Sequence, residues 1–266
     1  MLTIVLPAYN EEQTIRPLLQ SLKEAMEEDS LRYNVLVVDD GSEDKTAEVV
    51  EKFATDMPLR LIRHPANRGL PEAIKTGLFS ATNQLEEKDI IITMDADNTH
   101  SPGLILRMVR MIREGSQVVI ASRYQPGARI RGLSRMRRLL SYGANLLFRI
   151  LLPIQGARDY SCGFRAYRAS ILKNAIARYG DMFISQPGFS CMIDILLKIG
   201  QLDPIVTEVP LILRYDQKES ASKMDVRSNV KETFGLLCKR LFRTEKLNPQ
   251  GQVHSPGLYG LSRRTE

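Results

Sequence analysis

The sequence predicts an α/β fold with a central, mostly parallel sheet flanked by helices. Three observations lead there. Short apolar runs recur at Leu2–Leu6, Tyr33–Val38, Leu59–Ile62, Ile90–Met94 and Val118–Ala121, as strands buried on both faces require. Segments with helical apolar spacing separate them, and such alternation favours parallel neighbours joined by right-handed crossovers. Three runs end in polar clusters: Tyr9 to Glu11, Asp39 with Asp40, and Asp95 with Asp97. A parallel sheet puts all three on one edge, where open α/β sheets bind ligands.

Taken in order, Pro7 is expected to stop the first strand, and 8–12 to turn into a helix carrying Ile15, Leu18, Leu19, Leu22 and Met26. No glycine-rich dinucleotide or phosphate-cradling loop follows that strand. Ser42 or Asp40 is a candidate N-cap for the helix carrying Ala47, Val50 and Phe53. Asn67-Arg68-Gly69-Leu70 leads into a helix through Ala73, Ile74, Gly77 and Leu78. After Arg123 the character changes. Gly127–Arg135 reads as a basic loop and Met136–Pro153 as an amphipathic helix, fit either for the core or for a membrane interface. Further helices are expected over Ile171–Tyr179, Phe189–Ile199 and Val226–Phe242, with a strand over Val206–Leu213. Residues 244–266 are polar, contain Pro and Gly, and read as a flexible tail.

The chain has 266 residues, enough for one large α/β domain or one with an added lobe. It lacks Trp and is only 6% aromatic, so it is a poor candidate for stacking on nucleic-acid bases, and no nucleic-acid partner is expected. The net charge of +6 is unevenly spread. Residues 115–158 contain no Asp or Glu but carry Arg123, Arg129, Arg131, Arg135, Arg137, Arg138, Arg149 and Arg158, which calls for an anionic partner. Cys162, Cys191 and Cys238 are widely spaced, so free thiols in a reducing compartment are expected. The N-terminus shows no signal-peptide pattern, and no apolar run reaches membrane-spanning length.

Asp95 and Asp97, separated only by Ala96 after a buried strand, repel each other and lose water. A divalent cation removes that cost, and hard oxygen ligands suit Mg²⁺ or Mn²⁺. The alternative is that Asp-Ala-Asp-Asn caps the helix beginning near Ser101-Pro102. Asp159 is a second candidate, as a base, a metal contact or a structural cap. Asp194, on an apolar helix face, reads as a buried partner of an arginine or as a catalytic group.

Together these residues resemble a known family. Pro7-Ala8-Tyr9-Asn10-Glu11, Val38-Asp39-Asp40-Gly41-Ser42, Asn67-Arg68-Gly69 and Met94-Asp95-Ala96-Asp97 resemble, in order and spacing, the donor-site motifs of family-2 glycosyltransferases. Ala121 to Tyr124, Ser141 to Asn145, Asp159 to Arg165, Glu208-Val209-Pro210 and Ser222-Lys223-Met224 look like its dolichyl-phosphate mannose synthase branch. The likeness covers Leu2 to Arg240. It implies a Rossmann-like nucleotide-sugar glycosyltransferase fold of GT-A type. The catalytic domain would span 1–243, with a donor-binding half over 1–123 and an acceptor half over 124–243.

The resemblance further implies that Pro7, Tyr9, Glu11, Val38 and Asp40 hold the nucleotide, and that Asp95 and Asp97 bind the diphosphate through Mg²⁺ or Mn²⁺. Arg123 would contact donor or acceptor phosphate, and Arg137 and Ser141 the lipid phosphate. Arg214 and Lys223 would join the acceptor side, and Asp159 completes the catalytic candidates. The implied reaction is inverting transfer of mannose from GDP-mannose to a polyprenyl phosphate, peripherally at the cytoplasmic face of a membrane. The sequence departs from the branch at Glu219-Ser220-Ala221-Ser222-Lys223 and at Asn98-Thr99, which leaves sugar and acceptor open. Transfer to a saccharide or small-metabolite hydroxyl is the rival within the enzyme class. A non-catalytic sugar-nucleotide-binding subunit is the rival outside it.

Overall fold

The computed structural model describes residues 1–28, 30–132, 135–214 and 235–237, without the side chains of Arg135, Arg137 and Arg138. Lys223, Cys238, the tail and most of the expected helix over 226–242 lie outside the described residues; 235–237 are helical.

Five strands form the frame the sequence predicts: β1 (Leu2–Ala8), β2 (Tyr33–Asp39), β3 (Leu59–Arg63), β4 (Ile90–Thr93) and β5 (Val118–Ser122). Every residue of β1, β4 and β5 is buried, which is why they read as continuous apolar runs. The sheet order is β3-β2-β1-β4-β7-β5-β8, with β7 (Arg165–Arg168) and β8 (Val206–Pro210) completing seven strands. Helices α1 (Glu12–Glu28), α2 (Thr46–Phe53), α3 (Leu70–Thr82) and α4 (Ile105–Arg113) connect the first five strands. On α1, Ile15, Leu18, Leu19, Leu22 and Met26 are buried at helical spacing, each contributing about 1.5–3 kcal/mol of transfer free energy. After β7 come α6 (Ala169–Tyr179) and α7 (Ser190–Gly200).

Three expectations are corrected. Pro7 does not stop the first strand, which runs on to Ala8 with Pro7 opposite Val38. Ala8 accepts from Asp40 on the β2 side, whereas Val5 accepts from Met94 on the β4 side. The amide Pro7 lacks therefore faces β4, which has already ended, and no ladder bond is lost. The sheet is mostly parallel, as expected, with β7 inserted antiparallel between β4 and β5. The expected strand Val206–Leu213 breaks at Leu211. Its first part pairs with β5, and its second, β9 (Ile212–Arg214), pairs with β6 (Arg129–Arg131) in a two-stranded sheet. The basic loop Gly127–Arg135 thus contains a strand, and helix α5 (Arg135–Leu151) follows it.

Helix α5 settles the choice between core and surface for its apolar stripe. Met136, Leu139, Leu140, Leu147 and Ile150 are exposed, whereas Asn145 and Phe148 are buried. Among the described side chains, the helix turns Asn145 and Phe148 toward the domain and most of its leucines outward. Among the described residues, no helix is long and apolar enough to cross a membrane.

Candidate active site

The C-terminal ends of β1, β2 and β4 lie side by side and carry the three polar clusters. On β2, the buried Asp39 accepts the Ser42 amide on Oδ1 at 3.0 Å and pairs with Arg63 Nε at 3.2 Å. Asp40 binds the loop that follows β3. Its Oδ1 accepts the Arg68 amide at 3.0 Å and meets His64 Nδ1 at 2.7 Å, while Oδ2 accepts the Gly69 amide at 2.7 Å. Asp40 thus ties the loop after β3 to the end of β2, and any further contact uses its remaining acceptor capacity. Neither Asp40 nor Ser42 caps α2, whose N-cap is Lys45 without a side-chain cap bond. Val38 is buried beside them. Gly41, at φ +71°, lets this turn pass under Ala66, whose carbonyl carbon a Cβ would meet at 2.4 Å.

The loop after β1, holding Tyr9 and Glu11 and preceded by Pro7 within the strand, is tied to the β2 loop. The Asn10 amide donates to Ser42 Oγ at 2.9 Å, and the Glu11 amide to Thr46 Oγ1 at 2.8 Å. Thr14 Oγ1 donates to Glu11 Oε2 at 2.6 Å and lies 3.3 Å from the Ala96 carbonyl. This last contact reaches the residue between the two aspartates. The Glu11 loop and the Asp95–Asp97 loop are therefore neighbours.

In that loop Asp97 Oδ1 accepts both the amide and the hydroxyl of Thr99, at 3.1 and 2.7 Å, while Asn98 takes φ 58°. Asp95 lies against Gly163, where a Cβ would sit 3.2 Å from its Oδ1. The capping alternative fails, since the turn at Pro102–Leu104 starts from Ser101 without a side-chain cap bond, and α4 has none either. The donor set suits a hard divalent cation. Among the described residues no cluster of three or more His, Cys, Asp or Glu is placed to hold a metal. Two carboxylates that leave the rest of the shell to phosphate oxygens and water match the way Mg²⁺ is usually bound.

On the other side, the basic segment closes in. Arg214 donates its amide to the Thr99 carbonyl at 3.0 Å, and Leu213 bridges to His100. Arg214 is in register with Arg131 of β6. His100 is buried on Phe164, ring centroids 5.2 Å apart, and its Nδ1 has no hydrogen-bond partner.

Arg123, at the end of β5, meets Asp159 through Nε at 2.8 Å and Nη2 at 2.6 Å, and its amide adds a bond at 3.0 Å. Nη2 also reaches Ser161 Oγ at 2.6 Å. Asp159 accepts the Ser161 and Cys162 amides as well. Burial alone would raise its carboxyl, but the Arg123 guanidinium beside it more than offsets this and holds it below the usual carboxylate range. Of the three roles open to Asp159, the geometry shows the structural one: counter-charge to Arg123 and anchor of its own turn. Asp194 pairs with the buried Lys198 at 2.7 Å and accepts from Ser185. Cys162 and Cys191 are buried thiols pushed up to about 12 by that burial, which disarms them as nucleophiles.

Ser141, on α5, touches Tyr124 Oη at 3.0 Å, next to Arg123. The Arg137 side chain and Lys223 lie outside the described residues. Sequence reasoning passed over Asn145 and Glu208 as individual contributors. Asn145 accepts the Tyr160 amide at 2.9 Å and donates to the Arg158 carbonyl. Glu208 Oε1 accepts the Arg158 and Asp159 amides at 2.5 and 2.8 Å. Together they hold the turn that aims Asp159 at Arg123. Their signal was a polar residue inside an otherwise apolar segment, within two of the motifs that carry the resemblance.

Residues 3–175 match the family described as Glycosyl transferase family 2. A dolichol-phosphate mannosyltransferase of Pyrococcus furiosus is 31% identical over 209 residues, covering 78% of this chain. A polyprenol monophosphomannose synthase of Mycolicibacterium smegmatis is 29% identical over 233 residues, covering 87% of this chain. The alignments cover 55% of the Pyrococcus protein and 83% of the Mycolicibacterium one, so this chain spans little more than half the length of the former. Among solved structures, glucosyl-3-phosphoglycerate synthase of Mycobacterium tuberculosis, in complex with Mn²⁺, UDP and glucosyl-3-phosphoglycerate, superposes with a TM-score of 0.63. That match is 21% identical and covers 92% of this chain and 81% of the other, a likeness of fold.

Proposed function

Since the chain belongs to glycosyltransferase family 2, we propose that it transfers a sugar, mannose in our reading, from a nucleoside-diphosphate donor to a polyprenyl phosphate. The observation that carries this is the position of the Asp95–Asp97 loop. It touches the donor loops through Thr14 and Ala96 and, through Thr99 and Arg214, the strand β9 that pairs with β6 of the basic segment. Residues 1–123 would form the donor half, with Pro7, Tyr9, Glu11, Val38 and Asp40 around a nucleotide such as GDP. Residues 124–243 would form the acceptor half.

In this mechanism an acceptor phosphate oxygen attacks the anomeric carbon from the face opposite the diphosphate. The carbon–oxygen bond to the diphosphate breaks, its electron pair leaves on the β-phosphate, and configuration inverts. Asp95 and Asp97 would hold Mg²⁺ or Mn²⁺, which when bound supplies Lewis-acid neutralisation of the leaving diphosphate. Arg123, whose charge Asp159 holds in place, and Arg214 offset the repulsion between two phosphate-bearing substrates. Ser141, with Arg137 and Lys223, would complete the acceptor contacts. A phosphate acceptor is already anionic and needs little from a general base. That requirement separates this reading from transfer to a hydroxyl, because Asp159 and Asp194 are both committed to buried cations.

The outward leucines of α5 suit an enzyme that meets its lipid at a membrane surface. We place it peripherally at the cytoplasmic leaflet, whose anionic lipids attract an acid-free basic segment. The test is incubation of purified protein with labelled nucleotide sugars and Mg²⁺ or Mn²⁺, with and without polyprenyl phosphate. Label extracted into organic solvent only when the lipid is present supports the reading. Label confined to a water-soluble product overturns the lipid acceptor.

A further inference from the structure

At the edge strand β8, beneath the C-terminal end of α5, lies a cavity of about 590 Å³. The loop that Asp40 holds after β3 lies toward the opposite side of the sheet, since β8 and β3 are the two edges. The cavity wall is drawn tight. Gly156, at φ +85°, passes so close to β8 that a Cβ would lie 2.0 Å from the Val206 carbonyl oxygen. Arg149, Arg158 and Gln125 line it, together with Glu208 and Tyr160. The Tyr160 hydroxyl is already occupied by the Ile154 amide and the Leu152 carbonyl. Glu208 is only 8% exposed, and its Oε2 is buried without a hydrogen-bond partner. Burial pushes its carboxyl above the ordinary range, which lessens the negative charge it sets against an anion.

Two exposed arginines thus share one cavity, and neither side chain is used by the proposed transfer. Arg149 belongs to the same turn of α5 as the exposed Leu146, Leu147, Ile150 and Leu151. A ligand with a phosphate and apolar chains would meet both features at once. We propose that this cavity binds the phosphate of an anionic lipid headgroup, gripped by Arg149 and Arg158, while the lipid's chains lie along the outward stripe of α5. The site is distinct from the acceptor contacts near Arg123 and Ser141, and its effect is to fix the roll of α5 in the interface. The inference rests on the peripheral membrane reading above.

The test compares sedimentation with vesicles of phosphatidylcholine alone and with phosphatidylglycerol added. It uses the wild-type chain, the Arg149→Gln/Arg158→Gln variant and an Arg110→Gln/Arg113→Gln control that removes two exposed charges from α4. Wild type should prefer the anionic vesicles by roughly 30-fold, the effect of two gripping arginines. The cavity variant should lose most of that preference, and the control should keep it. Metal-dependent donor hydrolysis by the cavity variant should be unchanged. A cavity variant that keeps the preference, or a control that loses as much, overturns the site but leaves the membrane reading standing. Binding to neither vesicle overturns both. Inorganic phosphate, titrated calorimetrically, separates the sources. Saturable binding to the wild type without any vesicle preference would make this a free-anion site and overturn the lipid assignment.

Discussion

Asp159 and Arg123 form a two-pronged ion pair, with the carboxylate fully buried and the guanidinium only 17% exposed. Thirty-six positions apart in the chain, they bring the end of β5 against the turn that precedes β7. Replacing Asp159 with Asn keeps the shape and removes the charge, leaving Arg123 desolvated without a counter-ion. Loss of one partner of such a pair costs about 3–5 kcal/mol. Urea denaturation of Asp159→Asn should show that loss. Turnover should fall through a misplaced arginine, with no change in the pH dependence a lost general base would produce.

Two buried carboxyls give opposite pH signatures. Asp159 is held below its unfolded value, so its contribution is present above the ordinary Asp range and lost as pH falls through the folded value. Glu208 is raised, so its contribution is present below the ordinary Glu range and lost as pH rises through its folded value. Glu208→Gln keeps an acceptor for the Arg158 and Asp159 amides while removing the titration. Thermal melts of the variant should therefore lose less stability than wild type between acid and neutral pH. An identical pH profile would show that Glu208 does not titrate there.

Asp95→Ala and Asp97→Ala should each lower sugar transfer roughly 10²–10³-fold, the scale for removing an electrostatic contact to developing charge. Chelation of divalent cations should do the same to wild type. Gly163→Ala tests the same loop without touching a carboxylate, because its Cβ would press on Asp95 Oδ1 at 3.2 Å. It should raise the Mn²⁺ concentration needed for half-maximal activity while leaving the melting temperature within a few degrees of wild type.

Leu147→Glu with Ile150→Glu changes two exposed side chains on α5. Surface changes of this kind usually move stability by no more than about 0.5 kcal/mol. Vesicle binding and transfer to a long-chain polyprenyl phosphate should fall steeply, whereas metal-dependent donor hydrolysis should persist. Unchanged vesicle sedimentation would remove α5 from the membrane.

The five parallel strands and the three polar clusters at their ends were legible in the sequence, because buried strands announce themselves as local apolar runs and turns as local polar residues. The antiparallel β7 was not, since its first residue is the fully buried Arg165. Its two terminal guanidinium nitrogens donate to the carbonyls of Met192 and Tyr160, and only the folded chain supplies them. Nor could the sequence give Asp159 its partner Arg123 or Asp194 its partner Lys198, since a charge reveals its sign but not which opposite charge burial will bring within reach. For α5 the apolar stripe was evident from periodicity alone. Which way it faces was decided by Asn145 and Phe148 packing inward. Periodicity defines a face, and only the neighbouring elements determine whether that face meets the core or the surroundings.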